Sequence, residues 1–106
     1  LETDLTITEK ALRFIESHLF ETTYVEQIAK ECGASVSTLT RRFKSEVGST
    51  PFDYIRKRRL EEAHFLLKKG AHSVSEVALL IGYDNFGSFS ESFKQNFGYS
   101  PSQVGK

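Results

Sequence analysis

Ser37, Thr38, Thr40, Arg41 and Lys44 lie within eight residues of one stretch, SVSTLTRRFKSEVG at 35–48, with Arg42 among them. On a helix turning about 100° per residue, these short hydroxyls and long cations face away from Val36, Leu39, Phe43 and Val47. Those four are apolar and spaced three and four residues apart. A guanidinium fork can donate twice to guanine O6 and N7 in a major groove. Arg41 is therefore the best candidate for reading a base, a contact that discriminates by about 1–3 kcal/mol. Thr40 suits a thymine methyl or a hydrogen bond, and Ser37 can do either less strongly. Thr38, Arg42 and Lys44 suit phosphate oxygens, which position a protein on a duplex without specifying sequence.

The neighbouring residues supply what would hold such a helix in place. Ile28, Ala29, Cys32 and Gly33 read as the end of a short helix, about Val25–Cys32, followed by a tight turn. A short helix, a glycine turn and a second helix with a polar, basic outer face make a helix-turn-helix. Before it, Thr6 or Thr8 caps a first helix over roughly Glu9–Phe20, with Ala11, Leu12, Ile15 and Leu19 inward. Gly48 stops the second helix of the pair. Pro51, at the first helical position with Thr50 as cap, opens a long helix to about Lys69, ended by Gly70. Its apolar stripe is Phe52, Ile55, Leu60, Ala63, Leu66 and Leu67.

From Ser73 the plan repeats. Ser73 or Ser75 caps a helix with Val77, Ala78, Leu80 and Ile81 inward, ended by Gly82. A further helix follows over Phe86–Phe97, with phenylalanines at 86, 89, 93 and 97. At an offset of 49, Val25, Ala29 and Gly33 fall on Val74, Ala78 and Gly82. At an offset of 50, Phe43, Lys44, Gly48 and Pro51 fall on Phe93, Lys94, Gly98 and Pro101, and Leu39 on Phe89. The change of offset lies in the turn, where length is cheapest to alter. The reading is an all-α chain of two helix-turn-helix subdomains, 1–50 and 71–106, joined by a linker helix at 51–70. Gly105 weakens any helix after Pro101. The linker's nineteen residues span about 28 Å, close to the roughly 34 Å between successive major-groove segments on one side of DNA.

The chain is neutral overall, with fourteen cations and fourteen anions, but the charge is uneven. Residues 1–35 carry a net −4, residues 36–70 a net +5 and residues 71–106 a net −1. A central positive stretch can bind phosphate although the total cancels. No apolar run approaches the 18 residues of a membrane span, and no amino-terminal pattern resembles a signal peptide. A single cysteine, Cys32, sits where a buried apolar residue is wanted and fits a reducing cytoplasm. The first residue is leucine rather than methionine, which points to a piece of a longer chain.

Other side chains carry less. His18, His64 and His72 lie on separate segments without metal-ligand spacing, and Glu61 and Glu62 diverge from a helix rather than flank a substrate. No phosphate-cradling glycine loop is present, so neither an enzyme nor a metal or cofactor site is expected. The phenylalanines at 86–97 are spaced for a core rather than for base stacking. Within the basic run at 56–59, Arg59 is expected against neighbouring helices, and the others toward solvent or phosphate.

The motifs IAKECGASVSTLTRRFKSEVGSTPFDYI, RLEEAHFLL and VSEVALLIGYDNFGSFSESFKQNFGYSP give the chain a further reading. It resembles the DNA-binding domain of the AraC/XylS transcription regulators over nearly its whole length. The resemblance implies a bilobed, about seven-helix domain of a bacterial transcription regulator, an activator, placing two recognition helices in successive major-groove segments. It implies base-facing residues Ser37, Thr40 and Arg41 in the first unit and Gly87, Ser90 and Glu91 in the second, with Lys94 toward phosphate. At Glu91 the chain has an acid where the family commonly presents a cation, and Gly87 has no side chain. The implied partners are double-stranded promoter DNA and RNA polymerase, in the cytoplasm at the nucleoid. The isolated domain is expected to be monomeric, and the full-length protein dimeric through a domain outside this sequence. The competing reading is a protein-interaction module of the same fold with weak or non-specific DNA binding, which the neutral total and Glu91 favour.

Overall fold

The computed structural model describes residues 5–104, so the expectation at Gly105 lies outside them. Among the described residues there are six α-helices, one 3-10 turn and no strand. The seventh helix implied by the resemblance is only this turn, Pro101–Gln103, after which Val104 is extended. The chain divides into two compact units, the first ending at Ile55 and the second starting at Arg56.

In the first unit, α1 spans Ile7–Ser17, α2 Val25–Glu31 and α3 Val36–Val47. Helix α1 begins two residues before the expected start because Thr6 and Glu9 form a reciprocal capping box. The Glu9 N–H donates to Thr6 Oγ1 at 3.1 Å and the Thr6 N–H to Glu9 Oε1 at 2.9 Å. It ends three residues early, where His18 Nδ1 donates to the Phe14 carbonyl at 2.9 Å and closes the last turn. Leu19 is still buried, so the apolar pattern outlasts the helix. Ala11, Ile15, Leu19, Ile28, Ala29, Cys32, Leu39, Phe43 and Ile55 form the core, with Tyr54 edge-on to Phe43 at 5.6 Å. Burial pushes the Cys32 thiol above its ordinary pKa, keeping it protonated in its apolar role. Thr8 Oγ1 is buried there with no hydrogen-bond partner.

Helix α4, Pro51–Lys69, contributes residues to both units. It opens as read: Pro51 is its first residue and the Asp53 N–H donates to Thr50 Oγ1 at 3.2 Å. In the second unit, Leu60, Ala63 and Leu67 of α4 pack with α5, Val74–Leu80, and α6, Phe86–Phe97. Ser73 caps α5 through a capping box with Glu76, matching Thr6 and Glu9. The core there is completed by Val77, Ala78, Ile81, Phe89 and Phe93.

Three inward assignments do not hold. Phe52 is 64% exposed, Leu80 50% and Phe86 49%. Phe52 and Phe86 sit in the first turns of α4 and α6, and Leu80 is the last residue of the seven-residue α5, so all three lie at helix ends that the cores do not cover. Arg58 also departs from expectation: its guanidinium bonds Glu61 at 3.1 Å and Glu62 at 3.2 Å rather than standing free for phosphate. Arg59 is half-buried, as expected.

Candidate nucleic-acid interface

Helix α3 is held by the residues that do not face outward. Leu39 and Phe43 are fully buried, while Val36 and Val47 are half-buried beside them. Ser35 starts the helix, its hydroxyl accepting the Thr38 N–H at 3.1 Å, and Gly48 ends it at φ +96°. A left-handed residue at this point reverses the chain without strain only when it lacks a Cβ. With those two rows fixed, Ser37, Arg41 and Lys44 emerge as one exposed stripe, at the i, i+4, i+7 spacing of a single helix side.

The remaining first-unit candidates flank that stripe. Thr40 is half-buried on one side. Thr38 is half-buried on the other, and its Oγ1 accepts a hydrogen bond from Ser35 Oγ at 3.0 Å. Arg42 Nε donates to Glu46 Oε2 at 3.2 Å, so one of the three α3 cations already has a carboxylate. Arg41 and Lys44 project clear of it. Ser45, overlooked in the sequence because serine alone carries little signal, is exposed next to Arg41 on the same side.

Helix α6 repeats the construction. Asn85 Oδ1 accepts the Ser88 N–H at 2.8 Å, Phe89 and Phe93 are fully buried, and Gly98 ends the helix at φ +83°. Gly87, Glu91 and Lys94 are exposed and Ser90 is half-buried, the counterparts of Ser37, Arg41, Lys44 and Thr40. The chemistry differs. The stripe carries one acid and one cation, with Gln95 exposed alongside, another residue the spacing did not single out. Gly87 also has a local reason: a Cβ there would lie 3.3 Å from the Asn85 cap oxygen.

The turns before these helices correspond as well. The Ala34 N–H donates to the Ala29 carbonyl and the Tyr83 N–H to the Ala78 carbonyl, each at 3.0 Å, 49 residues apart. Gly33 and Gly82 both have positive φ, +67° and +97°. Each of α3 and α6 is thus the second helix of a helix-turn-helix. Among the described residues no cluster of three or more His, Cys, Asp or Glu could hold a metal ion. No helix there is long and apolar enough to cross a membrane.

The comparisons with known proteins agree with this geometry. A helix-turn-helix domain family model matches residues 28–106. The HTH-type transcriptional activator RhaS of Salmonella arizonae is 33% identical over 93 residues, which are 88% of this chain and 34% of that protein. The chain therefore spans about a third of the length of the curated relatives it matches. Among solved structures, an AraC-type regulator from Chromobacterium violaceum superposes with a TM-score of 0.88 at 26% identity, covering 93% of this chain and 88% of that one. The DNA-binding domain of the global transcriptional factor AdpA, solved with a target DNA, gives 0.85 at 30% identity, covering 92% and 88%. The chain belongs to the AraC/XylS family of helix-turn-helix DNA-binding domains from transcription regulators.

Proposed function

We propose that this chain reads double-stranded promoter DNA in a sequence-specific way, with α3 and α6 entering successive major-groove segments. The observation that carries this reading is the exposed Ser37–Arg41–Lys44 stripe, backed by fully buried Leu39 and Phe43. A rigid helix with a cation fork on its outer side has the shape and donors that major-groove readout needs. Ser37, Thr40 and Arg41 are the proposed base contacts in the first unit, and Gly87, Ser90 and Glu91 in the second. Glu91 can accept from a cytosine N4 amine, and Gly87 allows close backbone approach. Thr38, Arg42, Lys44 and Lys94 are the proposed phosphate contacts. Within a full-length bacterial regulator this would set promoter DNA beside RNA polymerase, in the cytoplasm at the nucleoid, in the manner of an activator.

Two observations favour a second reading, a protein-interaction module with weak DNA binding: the α6 stripe is electrically balanced, and Leu79 and Leu80 of α5 are exposed. Genomic fragments selected by the protein, then measured by mobility shift across a salt series with competitor DNA, separate the two. Specific reading predicts retention against competitor and a steep, linear loss of log affinity with log salt. Equal affinity for selected and random duplexes would leave only the second.

A further inference from the structure

The guanidinium of Arg59, on α4, lies over the turn that leads into α6. A Cβ built on Gly82 would sit 3.1 Å from Arg59 Nη1 and 3.4 Å from its Cζ. The glycine therefore answers two demands at once, a φ of +97° and room for a planar cation. The next residue, Tyr83, bonds back to Ala78 through its N–H and places its ring edge-on to Phe89 of α6 at 5.5 Å. Phe89 is fully buried. A continuous line of contact thus runs from α4 through the turn to the buried side of α6. Burial lowers the Arg59 pKa from its ordinary value, and the nearby Tyr83 hydroxyl partly offsets this.

The first unit lacks this arrangement: nothing lies within 4 Å of where a Gly33 Cβ would be.

We infer that Arg59 is a positioning residue for the second unit: through Gly82 and Tyr83 it sets the orientation of α6, and so what Gly87, Ser90 and Glu91 can read. The inference rests on the DNA-reading function proposed above and deepens it. A helix held about 1 Å from its productive place loses directional contacts first, whereas non-directional phosphate attraction survives small shifts.

Arg59→Met, which keeps the stem and removes the fork, and Arg59→Lys, which keeps the charge, test it alongside Arg41→Ala. Circular dichroism first confirms that each variant is folded. On the selected duplex, base-pair substitutions under each unit are then scored by competition. Both Arg59 variants are expected to lose on the order of tenfold discrimination under the second unit, with discrimination under the first unit unchanged. In the DNA-free protein, amide hydrogen exchange is expected to speed up at Tyr83 and in the first turns of α6, but not in α3. Unchanged exchange at α6, parental discrimination under the second unit, or equal losses under both units would overturn the inference. Exchange is measured without DNA, so it decides the matter even if no duplex is read specifically. If Arg41→Ala binds like the parent while exchange changes as expected, the reading of the first face fails instead.

Discussion

His64 Nε2 lies 2.7 Å from the Tyr99 hydroxyl, tying α4 to the turn that follows α6. The imidazole is parallel to Phe93 at 6.1 Å and tilted against Phe97 at 4.9 Å, so the bond closes one side of the second unit's aromatic core. Tyr99→Phe keeps the ring and removes the hydrogen bond. It is expected to destabilise the second unit by about 0.5–1.5 kcal/mol, measured by urea unfolding, with DNA specificity unaffected. A stability equal to the parent's would show that water replaces the bond at no loss.

Arg41 and Lys44 share one side of α3 and should fail differently. Arg41→Ala is expected to lose about 1–3 kcal/mol of discrimination at one base pair. Lys44→Ala is expected to weaken all sequences alike and to reduce the salt slope by about one. Competition binding across single-base variants at two salt concentrations distinguishes them, and identical profiles for the two mutants would refute the division of roles.

Phe86 and Phe89 are three residues apart on α6, yet one is 49% exposed and the other fully buried. Phe89→Ala should cost about 3–5 kcal/mol, the range for emptying a well-packed aromatic site. Phe86→Ala should cost less than about 1 kcal/mol. Thermal melts of both variants check the contrast, and comparable losses would put Phe86 in the core after all.

Thr8 offers a gain rather than a loss. Its buried hydroxyl has no partner, and a buried polar group without one costs about 1–3 kcal/mol. Thr8→Val, of nearly the same shape, should leave stability unchanged or raise it by about 1 kcal/mol. A clear drop in urea midpoint would mean that the hydroxyl is hydrated.

Glu9 and Glu76 titrate below the ordinary carboxylate value because backbone N–H donors at Thr6 and Ser73 favour the ionised form. A depressed folded-state pKa gives stability that is present above the unfolded value and fades as pH falls through the folded one. Both caps should therefore weaken as pH drops below about 5. Glu76→Gln should flatten part of the fall in Tm between neutral and acidic pH, and a parental slope in that variant would count against the cap's role.

How much of this was readable from residues alone follows from what each signal measures. Thr50, Gly48 and Gly98 mark helix ends through local geometry, which sequence records directly, and α4 and α6 begin and end where their proline, phenylalanine and glycine signals place them. The repeat placed Leu39 with Phe89 and Phe43 with Phe93, all four fully buried. Periodicity identifies a side of a helix but not how much of that side a neighbour covers, so it turns Phe52, Leu80 and Phe86 inward although all three are exposed. The Arg58 bonds to Glu61 and Glu62 depend on side-chain reach, as does the Arg59 contact with Gly82. Charge and hydroxyl content drew attention to Arg41 and Lys44, whereas Ser45 and Gln95 show themselves only once exposure is known.

In both units the residues that secure the helix and the residues that face outward are separate sets. Rewriting Ser37, Thr40 or Arg41 leaves Leu39 and Phe43 untouched, so new binding preferences can arise without compensating changes in the interior. Gly87 differs: a Cβ there would lie 3.3 Å from the Asn85 oxygen, so the cap side chain must give by a few tenths of an ångström to admit one. The domain is in this sense an adaptable chassis, whose exposed side chains on α3 and α6 can change without disturbing the buried rows behind them.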